Sequence, residues 1–160
     1  MKLWILRHAR AESRSASGSD QDRELAAAGW RACRHLKRWI RDQGVALPDR
    51  ILVSPARRTR QTAEAVFDGL GGVTPELHDA LWMATTSTLV RLIQSHLARD
   101  GNDLVLVGHN PGLEDLAVQL GAELPVVGLK PGTLVILEVD PSLTPDGSSM
   151  IHLVEANELV

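Results

Sequence analysis

Hydrophobic residues run without a break at positions 3–6 (LWIL), 51–53 (ILV) and 104–107 (LVLV), and each run gives way abruptly to polar or small residues. Short unbroken runs of this kind mark strands buried on both faces, whereas a strand with one wet face alternates. Elsewhere the apolar period lengthens. Over residues 24–43, Leu25, Ala28, Ala32, Cys33, Leu36 and Ile40 recur at three- and four-residue steps, which predicts a helix stopped by Gly44. Ser54 followed by Pro55 predicts the start of a second helix, with serine as N-cap and proline at the first helical position, burying Ala63, Val66, Phe67 and Leu70. Residues 69–75 read as a loop. A third helix is expected over 86–99 with Leu89, Val90, Ile93 and Leu97 inward, and a fourth between Pro111 and Leu120 with Gly121 as its stop. Residues 133–139 and 149–154 read as two further strands. The polar loop between them carries Pro141, Pro145 and Gly147, so they are expected to form an antiparallel hairpin. The last residues are expected to fray.

Strands that alternate with helices predict an α/β fold: a single three-layer domain over residues 1–160, with a mainly parallel sheet flanked by helices on both faces. No internal repeat or interdomain linker is visible. The 160 residues, 44% hydrophobic and 23% charged, suffice for one core without disulfides or metals. Cys33 is the lone cysteine, which excludes an internal disulfide and fits a reducing compartment. No segment is long and apolar enough to span a membrane, and residues 3–6 are far short of a signal-peptide core, so a cytoplasmic location is the default expectation. A net charge of −3 leaves no footprint for nucleic acid. The arginines are nonetheless uneven: Arg7, Arg10, Arg14, Arg57, Arg58 and Arg60 fall in two short segments. Local positive charge on a mildly acidic chain suggests a small anionic substrate, against the plainer reading of a solvated basic face.

The three buried runs end in Arg7-His8, in residues 54–58 and in His109-Asn110. Ligands of open α/β sheets bind beyond the carboxyl ends of the strands. If these strands are neighbours, two histidines and two arginines meet in one pocket. A neutral imidazole is a good nucleophile toward phosphorus. A guanidinium offers a planar fork of donors that matches two phosphoryl oxygens, a second histidine can donate to a third, and the following helix N-terminus adds its dipole. Each piece alone is commonplace; the combination is not.

In these residues the chain resembles the histidine phosphatase superfamily, also called phosphoglycerate-mutase-like. That family has Arg-His-Gly or Arg-His-Ala after its first strand, and here the chain reads Arg7-His8-Ala9. The family's Ser-Pro-x-x-Arg-Ala-x-Gln-Thr-Ala segment is matched by Ser54-Pro55-Ala56-Arg57-Arg58-Thr59-Arg60-Gln61-Thr62-Ala63, which singles out Arg58 rather than Arg57. Gly108-His109 corresponds to the later Gly-His or Ser-His. The short length and the run from Gly108 through Asn110, Pro111, Gly112 and Leu113 to Glu114 look most like the SixA-type phosphohistidine phosphatase branch. The resemblance implies that His8 accepts the phosphoryl group, that Arg7, Arg58 and His109 bind it, and that neither metal nor cofactor is needed. The implied substrate is a phosphorylated one, a histidine-phosphorylated protein for this branch. A small-metabolite phosphomonoesterase would use the same four residues, and a phosphate-binding module without turnover is the alternative from another class. A mutase would need a longer chain.

Two departures stand out. Many relatives carry a carboxylate after the second helix that protonates the leaving group; here that position falls near Ala80, with Asp79 and Glu76 as neighbouring candidates for a general acid. Loss of the acid favours a phosphoramidate substrate, because imidazole leaves far more readily than an alkoxide. Residues 25–29 read LAAAG where relatives often have Leu-Thr-x-x-Gly, which is expected to affect a helix start. Of six histidines no pair has the helical i,i+4 metal spacing, so no metal site is expected. His35 and His96 read as helix-surface residues and His152 as a strand-face one. Trp82 is placed to line the pocket mouth. The loop over residues 12–22 lies next to the site, and Arg14 or Arg23 would contact substrate if it closes; a solvated loop is the plainer reading.

Overall fold

Four strands run parallel to one another: β1 (Lys2–Arg7), β2 (Arg50–Val53), β3 (Glu76–Leu77) and β4 (Leu104–Gly108). Two more, β5 (Thr133–Val139) and β6 (Ser148–Glu155), form an antiparallel hairpin that extends the sheet beside β1. The order is β3-β2-β4-β1-β5-β6. The chain is seen in a computed structural model that describes residues 1–99 and 101–156, so the expected fraying of the last residues lies largely outside it.

Side chains of successive residues in a strand point to opposite faces. Leu3, Ile5, Leu52, Leu104, Leu106, Val135 and Leu137 therefore build one core, and Trp4, Leu6, Ile51, Val53, Val105, Val107, Leu134 and Ile136 the other. Helices α1 (Ala27–Gln43) and α2 (Arg57–Phe67) cover the second face through Ala32, Cys33, Leu36, Ile40, Ala63, Val66 and Phe67. Helices α3 (Thr86–Leu97) and α4 (Gly112–Gln119) cover the first through Leu89, Ile93, Leu113, Leu116 and Ala117. This is the expected three-layer α/β domain with a mainly parallel sheet.

Three local expectations are corrected. Helix α1 begins at Ala27, not Glu24, because residues 10–12 and 24–26 pair as backbone: Glu12 donates to the Glu24 carbonyl at 2.8 Å and Ala26 to the Arg10 carbonyl at 2.9 Å. Helix α2 begins at Arg57, and the residue at its N-cap is Ala56, with no side-chain cap. Ser54 lies upstream of that cap position, and its hydroxyl is engaged elsewhere, as described below. His96 is buried, not on the surface; its Nε2 meets the Asn102 carbonyl at 2.9 Å where the chain turns back toward β4. The two-residue strand β3 was not expected, being too short to display a period. No helix among the described residues is long and apolar enough to cross a membrane.

Candidate active site

Strand β4 lies between β1 and β2, so the three buried strands are neighbours and their carboxyl ends sit side by side. Arg7 pairs with Gly108 across β1 and β4, and His8 donates its backbone N–H to the Gly108 carbonyl at 3.1 Å. Ser54 donates its own to the Val107 carbonyl at 3.0 Å. The residues that leave these strands are thereby locked in register, and the rings of His8 and His109 come within 5.3 Å centroid to centroid.

His8 Nδ1 lies 2.8 Å from the carbonyl oxygen of Ala9. A carbonyl only accepts, so Nδ1 carries the proton and the lone pair of the ring is on Nε2. Arg58 agrees with that tautomer, since its Nε–H donates to His8 Nε2 at 3.3 Å. Burial pushes the His8 pKa down to about 4, and the nearby charges of Arg58 and Arg7 push the same way, against the Ala9 hydrogen bond. The imidazole is therefore neutral at neutral pH.

Arg58 is almost wholly buried, with 4% of its side chain exposed. Besides Nε on His8, its Nη2 lies 3.4 Å from His109 Nδ1, Nη1 donates to the Asp20 carbonyl at 2.7 Å and Nη2 to Asp20 Oδ2 at 3.0 Å. His109 Nε2 is 2.7 Å from the Ser54 hydroxyl. Ser54 thus serves the ring of His109 and not the helix terminus, whose N-cap position is Ala56. The His109 pKa falls to about 3, chiefly through burial and then through His8 and Arg58. Trp82 closes the far side, edge-on to His109 at 5.2 Å and 5.6 Å from the Arg58 guanidinium carbon. Arg7 donates through Nη1 to the Leu129 carbonyl, while its Nε is buried without a partner among the described residues. The Leu129 loop is held in turn by Glu114, whose Oε2 accepts from Leu129 N–H at 2.9 Å and from Asn110 Nδ2 at 2.8 Å.

His8, Arg7, Arg58 and His109, with Trp82, are thus brought to one place. Arg57, next in sequence to Arg58, is exposed and pairs with Glu24. Glu76 is not delivered to the pocket: its Oε2 pairs with Arg50 Nη2 at 2.9 Å, toward the opposite end of β2. The hydrogen bond from Arg50, more than the counteracting burial, holds its carboxyl below the usual range. Asp79 is exposed, in a 3-10 turn, Asp79–Leu81, that leads into Trp82. Of the loop over 12–22, Arg14 is exposed, and Arg23 reaches Asp20 at 2.8 Å and the Glu12 carbonyl at 2.9 Å. Ser54 and Asp20 were missed as site residues. Ser54 carried a helix-cap signal that hid it, and nothing local in the loop marks Asp20 as the partner of Arg58, 38 positions away. No group of three or more His, Cys, Asp or Glu side chains suited to a metal ion occurs among the described residues.

The family model of the histidine phosphatase superfamily (branch 1) matches residues 3–82. No curated protein sequence matches the chain significantly. Among solved structures, the protein histidine phosphatase SixA complexed with tungstate superposes with a TM-score of 0.85 at 23% identity, each chain covered in full. A protein assigned as the phosphohistidine phosphatase SixA of Agrobacterium tumefaciens gives 0.80 at 27% identity, over 96% of this chain and 97% of that one. One so assigned from Nakamurella multipartitia gives 0.77 at 24%, over 96% and 94%.

Proposed function

This chain belongs to the histidine phosphatase superfamily, and from that premise we propose that it is a protein phosphohistidine phosphatase working through a covalent intermediate on His8. His8 Nε2, on a neutral ring, attacks phosphorus in line. The bond from phosphorus to the leaving nitrogen breaks, and its electron pair returns to the substrate ring, which carries a proton from solvent on its other nitrogen and so departs as neutral imidazole. Water then attacks the phosphoryl group on His8, releasing inorganic phosphate and restoring the ring. Arg58 and His109 bind the equatorial oxygens, where charge spreads in the transition state, and the unpartnered Arg7 Nε supplies a further donor. No step calls on a metal or cofactor.

One observation carries the choice of substrate. Of the two candidates for proton donation, Glu76 is pinned to Arg50 and Asp79 is exposed in the turn before Trp82, while Asp20, the carboxylate that touches Arg58, is held below the usual carboxylate range. Burial raises Asp20, but Arg23 and Arg58 together outweigh it. An alkoxide leaving group needs a proton delivered to the leaving atom by an acid, whereas the ring of a phosphohistidine can take its proton from solvent on the nitrogen remote from phosphorus and leave as neutral imidazole. Likeness to the SixA proteins points the same way.

The test is hydrolysis of a phosphohistidine-bearing protein and of a panel of small phosphomonoesters, with chelator present, by wild type and His8→Ala. Wild type is expected to cleave the phosphohistidine in preference and to trap an acid-labile, base-stable phosphoenzyme; His8→Ala is expected to do neither. Efficient turnover of one of the small esters would move the substrate to a metabolite. Tight phosphate binding without turnover by wild type would make it a binding module.

A further inference from the structure

The guanidinium of Arg58 presents two different edges. Its side-on edge, Nε and Nη2, faces His8 Nε2 at 3.3 Å and His109 Nδ1 at 3.4 Å, the ring nitrogens that line the phosphoryl position. Its end-on edge, Nη1 and Nη2, is taken by a single residue through two acceptors, the Asp20 carbonyl at 2.7 Å and Asp20 Oδ2 at 3.0 Å. A guanidinium has five N–H groups in a fixed plane, so fixing one edge fixes the direction of the other. Asp20 is itself anchored: Arg23 Nε donates to its Oδ1 at 2.8 Å, and Arg23 Nη1 reaches the Glu12 carbonyl. The Asp20 carboxylate is 55% exposed while the Arg58 side chain is 4% exposed, so the acid is carried to a buried base by the loop and not by the core.

We infer that Asp20 is a positioning residue, which clamps the end-on edge of Arg58 so that its side-on edge stays aimed at the phosphoryl group between His8 and His109. This rests on the phosphatase reading for the identity of the anion, but the clamp also acts on an inert oxyanion. A competing geometry is testable in the same experiment. If the carboxylate instead occupied the place of the substrate's oxygens, its removal would free Arg58 and tighten anion binding.

The experiment measures tungstate affinity by calorimetry, and kcat and KM for a phosphohistidine protein and for an aryl phosphate, in wild type, Asp20→Ala, Asp20→Asn, Arg58→Ala and the double variant Asp20→Ala/Arg58→Ala. Misplacing a catalytic group by about 1 Å costs on the order of a hundredfold. Asp20→Ala is expected to weaken tungstate binding and lower kcat/KM by at least about tenfold. Asp20→Asn keeps an acceptor for Nη2 and is expected to recover most of that loss. In the Arg58→Ala background the alanine at position 20 is expected to cost nothing more, because there is no guanidinium left to aim. Unchanged or tighter tungstate binding in Asp20→Ala, or losses that simply multiply in the double variant, would overturn the proposal. Inactivity of wild type on phosphohistidine would instead count against the substrate assignment, and the tungstate comparison would still decide the role of Asp20.

Discussion

At the scale of the residue, the site depends on one imbalance: a buried imidazole, His109, and a half-buried one, His8, lie beside two guanidinium groups. Desolvation and like charge act together, and the His8 pKa falls from the ordinary 6.5 to about 4. The proton that remains is on Nδ1, against the Ala9 carbonyl, which puts the ring's lone pair on Nε2, where the Arg58 Nε–H donates to it at 3.3 Å. The expected consequence is a ring that does not titrate across the physiological range. An NMR pH titration of the His8 ring, assigned by its loss in His8→Ala, should give a midpoint near 4; a midpoint near 6.5 would show that burial does not set the charge of the nucleophile. Much of this was legible in the sequence, because Arg7-His8 and Gly108-His109 each follow a buried run, and Arg58 holds a fixed place in its segment. What was not legible is the reach of single side chains across the fold. The hydroxyl of Ser54 looks like a helix cap until His109 is placed 2.7 Å away. His96 sits on an amphipathic helix yet is covered by the chain that follows it.

At the scale of the element, the site is held by helix termini and turns that need specific residues. Gly29 in α1 is one: a Cβ there would lie 2.1 Å from the Arg10 carbonyl oxygen, so only glycine lets α1 pass the backbone that follows β1. On the other side, Thr62 of α2 accepts from the Ala9 N–H at 3.1 Å and donates to the Arg58 carbonyl at 2.7 Å, and Gln61 accepts from Leu25 N–H at 2.8 Å. The Gln-Thr pair of the motif is thus structural, tying α2 to the segment that carries His8. The start of α1 is the weak point. Ala26 is its N-cap, in extended conformation (φ −71°, ψ 163°), and offers no side-chain acceptor to the first turn. Ala26→Ser supplies one without altering the backbone. It is expected to stabilise the protein by about 0.5–2 kcal/mol, which for a chain of this size is a rise of roughly 2–4 °C in Tm for each kcal/mol. Thermal unfolding followed by circular dichroism checks this, and an unchanged or lowered Tm would mean that the first turn of α1 is satisfied without a cap.

At the scale of the whole molecule, the apolar pattern was enough for the layers and for most strand directions, because burial on both faces forces unbroken runs in β1, β2 and β4. It was not enough for the sheet's edge, where β3 has two residues and exists only through its pairing with Leu52 and Val53. The same central position that makes β1 and β4 good carriers of the site makes the site a burden on stability, with a definite sign. His8 and His109 have folded pKa values of about 4 and about 3, below the ordinary 6.5 of the unfolded chain. Between pH 6.5 and 4 the unfolded state therefore binds protons that the folded state does not, and acidification favours unfolding. Above 6.5 both states are neutral at these positions and the effect vanishes. By linkage each such histidine adds a slope of up to about 1.4 kcal/mol per pH unit within that window. The carboxylates held low by arginines, Asp20 and Glu76, lose their contribution only at lower pH, as they protonate. Urea unfolding of wild type at pH 7, 6 and 5 should accordingly show stability falling with pH, and His8→Gln/His109→Gln should fall less steeply over the same interval. Parallel curves for the two proteins would mean that the site histidines take up protons in the folded state as readily as in the unfolded one, and that the fold does not lower their pKa values.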